Sequence, residues 1–119
     1  MANMITIYGI PACNTMKKAF DFLKNQGVSY EFHDYKKKSI SPETLSLFLE
    51  KLGPTTVLNK NGSTYKQLDD DTKKSLENPD SLFEFLQQKT SAIKRPILVD
   101  GERILAGFDE EKIHAWLSK

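Results

Sequence analysis

Between residues 4 and 35 the spacing of apolar side chains changes twice, and that change limits the fold more than any other feature. Residues 4 to 9, MITIYG, are β-branched and aromatic and stop at a Gly-Ile-Pro turn, the pattern of a buried strand. From Asn14 the period lengthens: Met16, Ala19, Phe20 and Leu23 recur at helical spacing, charged residues fall between them, and Gly27 supplies a C-terminal stop. Residues 28 to 35, VSYEFHDY, return to alternation, with Val28, Tyr30, Phe32 and Asp34 on one face. Strand, helix and strand within about 32 residues is the length of a βαβ unit, whose crossover is right-handed.

The middle of the chain reads as helical. Ser41-Pro42 places a cap before a proline at the first helical position, and Leu45, Phe48, Leu49 and Leu52 form an apolar face that ends at Gly53-Pro54. Asn78-Pro79 repeats the signal ahead of Leu82, Phe83, Phe85 and Leu86. The polar stretch between carries a turn at Asn61-Gly62 and a short helix from Asp71, with the triple Asp at 69 to 71 as a solvated helix start. Farther on, Ile97 to Val99, then Asp100-Gly101, then Arg103 to Leu105 predict a hairpin with a two-residue loop. Asp109 caps a last helix, with Glu110 and Glu111 in its first turn and Ile113, Trp116 and Leu117 on its buried face. The order βαβ, helical insertion, ββα predicts an α/β fold: a thioredoxin-like mixed four-stranded sheet with flanking helices and an insertion at about 41–93.

A chain of 119 residues, 39% hydrophobic and 28% charged, has material for one core, so a single domain over 1–119 is expected. Lys plus Arg number 17 against 16 for Asp plus Glu, a balance that advertises neither nucleic acid nor an anionic membrane as partner. The absence of a charged leader segment and of any long apolar run predicts a cytoplasmic protein. Cys13 is the one cysteine, so an internal disulfide is excluded. With His33 and His114 far away in sequence, no metal or tightly bound cofactor is expected.

Cys13 falls at the seam between the first strand and the first helix. Free N–H groups and the positive end of the helix dipole converge there and favour a thiolate, with Asn14, Thr15 and Lys17 close by. The competing reading is a small buried apolar residue, the common fate of a lone free cysteine. Arg95, in IKRPILV, is either a solvated side chain or an always-charged fork able to hold an oxyanion or carboxylate. Pro96 belongs at a strand edge or in a tight turn, and sequence alone leaves its peptide bond open.

Four segments, YGIPACNT, HDY, VLNK at 57–60 and KRPILVDG, together resemble the arsenate reductase and Spx/MgsR family of thioredoxin-like proteins, closest to its small bacterial YffB-type branch. The resemblance implies that Cys13 is the active-site cysteine, Arg95 the arginine beside it and Pro96 a cis-proline facing the thiol. It implies an oxidoreductase, a glutathione-dependent thiol reductase, with Asn14, Thr15, Lys17, Arg95 and Pro96 binding the substrate. The departures narrow this. Glutaredoxin-coupled arsenate reductases carry a histidine where this chain has Gly9, and arginines at the positions of Asn59 and within 105–108, LAGF. Arsenate would therefore rest on Arg95, helped by Lys17 and Lys60. Redox-responsive Spx regulators carry a second cysteine where this chain has Met16. The expected mechanism is monothiol exchange with glutathione or another small thiol. Arsenate reduction coupled to glutaredoxin, and a non-catalytic module docking on RNA polymerase, are the alternatives.

Overall fold

A computed structural model of the chain describes residues 5–11, 13–101 and 103–118. The chain divides into two compact units, Met1–Asp34 with Arg95–Lys119, and Tyr35–Lys94.

The first unit is built on a mixed sheet. Strand β1 (Ile5–Gly9) runs parallel to β2 (Tyr30–Asp34), joined by helix α1 (Asn14–Asn25). Of the predicted first strand, Met4 lies outside the described residues. The second strand begins at Tyr30 and ends before Tyr35, which enters a helical turn instead. Strand β3 (Ile97–Asp100) pairs antiparallel with β1 and with β4 (Arg103–Ala106), giving the order β2-β1-β3-β4. This is the thioredoxin-like arrangement. Asp100 pairs with Arg103, so the hairpin loop is residues 101–102 rather than Asp100-Gly101; Glu102 lies outside the described residues. Gly101, at φ 62, provides the positive dihedral that so tight a connection needs. The Arg103 guanidinium explains the extra ladder pair: it meets Asp100 at 3.3 Å, stacks 4.7 Å from the Trp116 ring centre and donates to the Trp116 carbonyl.

Ile5 and Ile7 of β1, Met16, Ala19 and Leu23 of α1, Leu98 of β3 and Ile113 of the last helix, α8 (Glu110–Leu117), form one buried cluster. It is the face the periodicity predicts: α1 buries the positions spaced three and four apart and leaves its lysines exposed. Phe20 packs on Tyr30 and Phe32, and Phe22 on Phe108, at ring separations of 5.0 to 6.3 Å. Asp109 caps α8 by accepting from the Lys112 N–H at 3.1 Å.

The second unit is helical, with α2 (Tyr35–Lys38), α3 (Pro42–Leu52), α4 (Pro54–Val57), α5 (Ser63–Lys66), α6 (Asp70–Ser75) and α7 (Pro79–Gln88). Ser41 and Asn78 cap α3 and α7 through backbone N–H groups, each with proline at the start of its helix. The third cap is Asp69, one turn position earlier than a start at Asp71 allows. It accepts from the Thr72 N–H at 2.7 Å, and the Thr72 hydroxyl and this N–H hold its carboxyl below the usual range. The short turns α2, α4 and α5 carry too few residues for a readable apolar period.

Candidate functional site

Three pieces of the first unit meet at Cys13. The first is the end of β1, where Gly9 lies beside the helix start. A Cβ on Gly9 would stand 2.5 Å from Met16 Sδ, 2.6 Å from its Cε and 3.5 Å from the Arg95 Cβ. Met16 is wholly buried and cannot swing into solvent. Glycine is therefore the residue that lets the thioether lock the start of α1 against the strand end.

The second piece is the helix terminus. Cys13 is the N-cap of α1, extended at φ −142 and ψ 130, and its carbonyl accepts the Lys17 N–H at 3.1 Å. The half-buried thiol packs against the core cluster. No acidic side chain occupies the first turn of α1 to compete with a negative sulfur.

Arg95, half-buried at the entry to β3, is the third piece, and its peptide bond to Pro96 is cis. Pro96 is buried, and its carbonyl accepts the Gly107 N–H at 2.8 Å, tying this corner to the strand after the hairpin.

The charge state of Cys13 follows from these neighbours. Burial pushes the thiol up, but the Met16 N–H, a side-chain hydrogen bond from Arg95, the Thr15 N–H and the Arg95 charge together outweigh it. The result lies below the ordinary cysteine value. A thiolate stabilised at a partly open position can attack an electrophilic sulfur.

Among the residues singled out from sequence, Cys13, Thr15 and Arg95 thus converge, with Pro96 adjoining Arg95 in the chain. Asn14 and Lys17 are exposed on the first turn of α1. Asn59 and Lys60 belong to the second unit. Ala12, inside the YGIPACNT segment, lies outside the described residues. The locking of Gly9 by Met16 was missed by sequence reasoning; the signal available was a glycine ending a buried strand, where close approach of another group is a standard cause. A pairing of Tyr8 with His33 was missed as well. Their rings are 4.7 Å apart because the parallel register sets them opposite one another.

Comparison with known proteins gives a consistent picture. A solved structure of the YFFB protein is 40% identical, covering 96% of this chain and 99% of its own, with a TM-score of 0.89. An arsenate reductase (ArsC) related protein from Brucella melitensis is 34% identical over 98% of this chain and 96% of its own, with a TM-score of 0.76. The global transcriptional regulator Spx of Streptococcus agalactiae is 27% identical over 98% of this chain and 85% of its own length. Residues 8–116 match the ArsC family, and the chain belongs to that family.

Proposed function

We propose that the protein is a thiol-disulfide oxidoreductase that works through the single thiolate of Cys13 and draws its second thiol from glutathione. The observation that carries this reading is the convergence on Cys13 of Arg95 and the Thr15 and Met16 amides, which favours the thiolate. In the first step the Cys13 thiolate attacks one sulfur of a disulfide, forming a mixed disulfide and releasing the other sulfur as a thiolate. In the second step a glutathione thiolate attacks that mixed disulfide, taking the substrate sulfur and returning Cys13 as thiolate. The external thiol is required because Cys13 is the one cysteine of the chain. Arg95 and Lys17 are the contacts for the glutathione carboxylates, with Asn14 and Thr15 offering further donors. Pro96 contributes a wall just ahead of β3, and pairing with the glutathione backbone falls to the peptide groups beside it, since its own carbonyl is engaged.

Replacing Cys13 by Ser and assaying exchange with a glutathione mixed disulfide tests this directly: the reading expects background turnover with the fold retained, and an unchanged rate would overturn it. The family membership brings a second enzymatic reading, arsenate reduction through a bond from Cys13 sulfur to arsenic. It is disfavoured by the packing at Gly9, where a larger side chain would have to displace the tip of the buried Met16 side chain. Turnover of arsenate with glutathione and glutaredoxin would restore it. The Spx relative supports a third reading, a module that docks on RNA polymerase. Capture of polymerase that is indifferent to Cys13→Ser would favour docking over catalysis.

A further inference from the structure

The second unit contains a cavity of about 570 Å³, within the range of small-molecule sites. Its walls come from the five successive helices α3 to α7 and the residues between them, with Tyr65 contributed by α5. Leu49 projects from the end of α3, Leu58 follows α4, Leu76 follows α6 and Leu82 belongs to α7. Gly53, at φ 85, ends α3 and turns the chain into α4, so that Pro54 and Thr55 form one lip. The wall behind Leu58 is fixed by its bridge to Ile93 and by the Asn59 N–H donating to the Ala92 carbonyl at 2.8 Å.

The polar groups at this cavity are few and of unequal sign. Lys60, Lys73 and Glu77 line it together with Tyr65, leaving a charge of +1 among the three ionic groups. Among the described residues, neither lysine forms an ion pair. The Lys73 ammonium stands 5.2 Å from the Tyr65 ring centre, a cation–π contact that holds it at the cavity. Four leucines beside two ammonium groups and one carboxylate, a net excess of one positive charge, complement a ligand with an apolar body and a negative head.

We propose that this cavity binds a small amphipathic carboxylate, its chain against Leu49, Leu58, Leu76 and Leu82 and its carboxylate between Lys60 and Lys73. The site lies wholly within Tyr35–Lys94, so the proposal stands independently of the chemistry at Cys13. Glu77 sets the limit on the head: a carboxylate placed toward it is repelled, which favours one orientation.

Decanoate, used below its micelle threshold and followed by amide chemical shifts of the whole protein, is the test. Saturable shifts at Leu58, Tyr65 and Leu76 are expected, while decylammonium gives none. The double variant Lys60→Glu with Lys73→Glu should weaken decanoate binding about tenfold or more. Thr55→Trp, an exposed position that leaves the core untouched, should block the lip and weaken it as well. Absence of saturable shifts, equal binding of decylammonium, or a double variant that binds decanoate as the parent does would each overturn the proposal.

Discussion

The two units solve the problem of presenting polar chemistry in opposite ways. In the first, the groups that meet at the sulfur come from distant parts of the chain: Cys13 from the start of α1 and Arg95 from the approach to β3. The sheet register brings them together, because β3 pairs with β1 through Tyr8 and Ile97, which sets the approach to β3 beside the end of β1 that leads into Cys13. In the second unit the cavity is assembled from consecutive helices between Leu49 and Leu82, three of which, α3, α6 and α7, are begun by a side-chain cap. A site of the first kind depends on tertiary packing throughout, whereas one of the second kind depends on several local decisions. Losses in the first unit should therefore reach the chemistry at once, and losses in the second should leave it intact.

The largest expected effect separates the units outright. Cys13→Ser reduces thiol exchange to background, yet leaves decanoate shifts in the second unit unchanged; a parallel loss of both would show that the variant had disturbed more than the sulfur. Next comes Arg95→Ala. Removing a charge-assisted hydrogen bond to the thiolate should slow exchange near neutral pH about tenfold, read from the initial rate. Gly9→Ala is a packing test of the same site. A methyl group there forces the buried Met16 thioether to move and should cost about 1–3 kcal/mol by denaturant unfolding. Combined with Met16→Ala, itself a cavity-forming change in the core, it should cost less than the sum of the two separate losses, because the clash is gone once the thioether is removed. The smallest effect belongs to the second unit: Asn78→Ala removes the cap of α7 and should cost about 1 kcal/mol, with the exchange rate per folded molecule unaltered.

Much of the fold was legible because its punctuation is local. The two proline-led caps, the glycine stop at residue 27 and the hairpin each follow from residues a few positions apart, and the element order yields the sheet. The boundaries that differed did so for tertiary reasons. Asp100 joins the ladder because Arg103 is held by Trp116, a partner that hairpin chemistry does not reveal. Tyr35 leaves the strand for a helical turn at the start of the second unit and is buried, which its alternation pattern conceals. At the candidate site, the position of Cys13 before a helix was readable from the change of period. The contact with Arg95 was suggested by family resemblance rather than by periodicity. The lock between Gly9 and Met16 is a contact between a strand end and a helix interior, and no spacing in the sequence encodes it.

The depressed thiol value also links the site to stability. A group whose pKa is lower in the folded chain stabilises it fully above the unfolded value, about 8.5 for cysteine, and loses that contribution as pH falls through the folded value. The difference in melting temperature between the parent and Cys13→Ser should therefore grow as pH rises across that window and level off above it.

The most direct test of the central claim, that the fold holds Cys13 as a reactive thiolate, is the pH dependence of its alkylation by iodoacetamide in the parent and in Arg95→Ala. In the parent a rate midpoint clearly below that of free cysteine is expected, moving up when the guanidinium is removed. A parent midpoint at or above the free value, unmoved by Arg95→Ala, would contradict it.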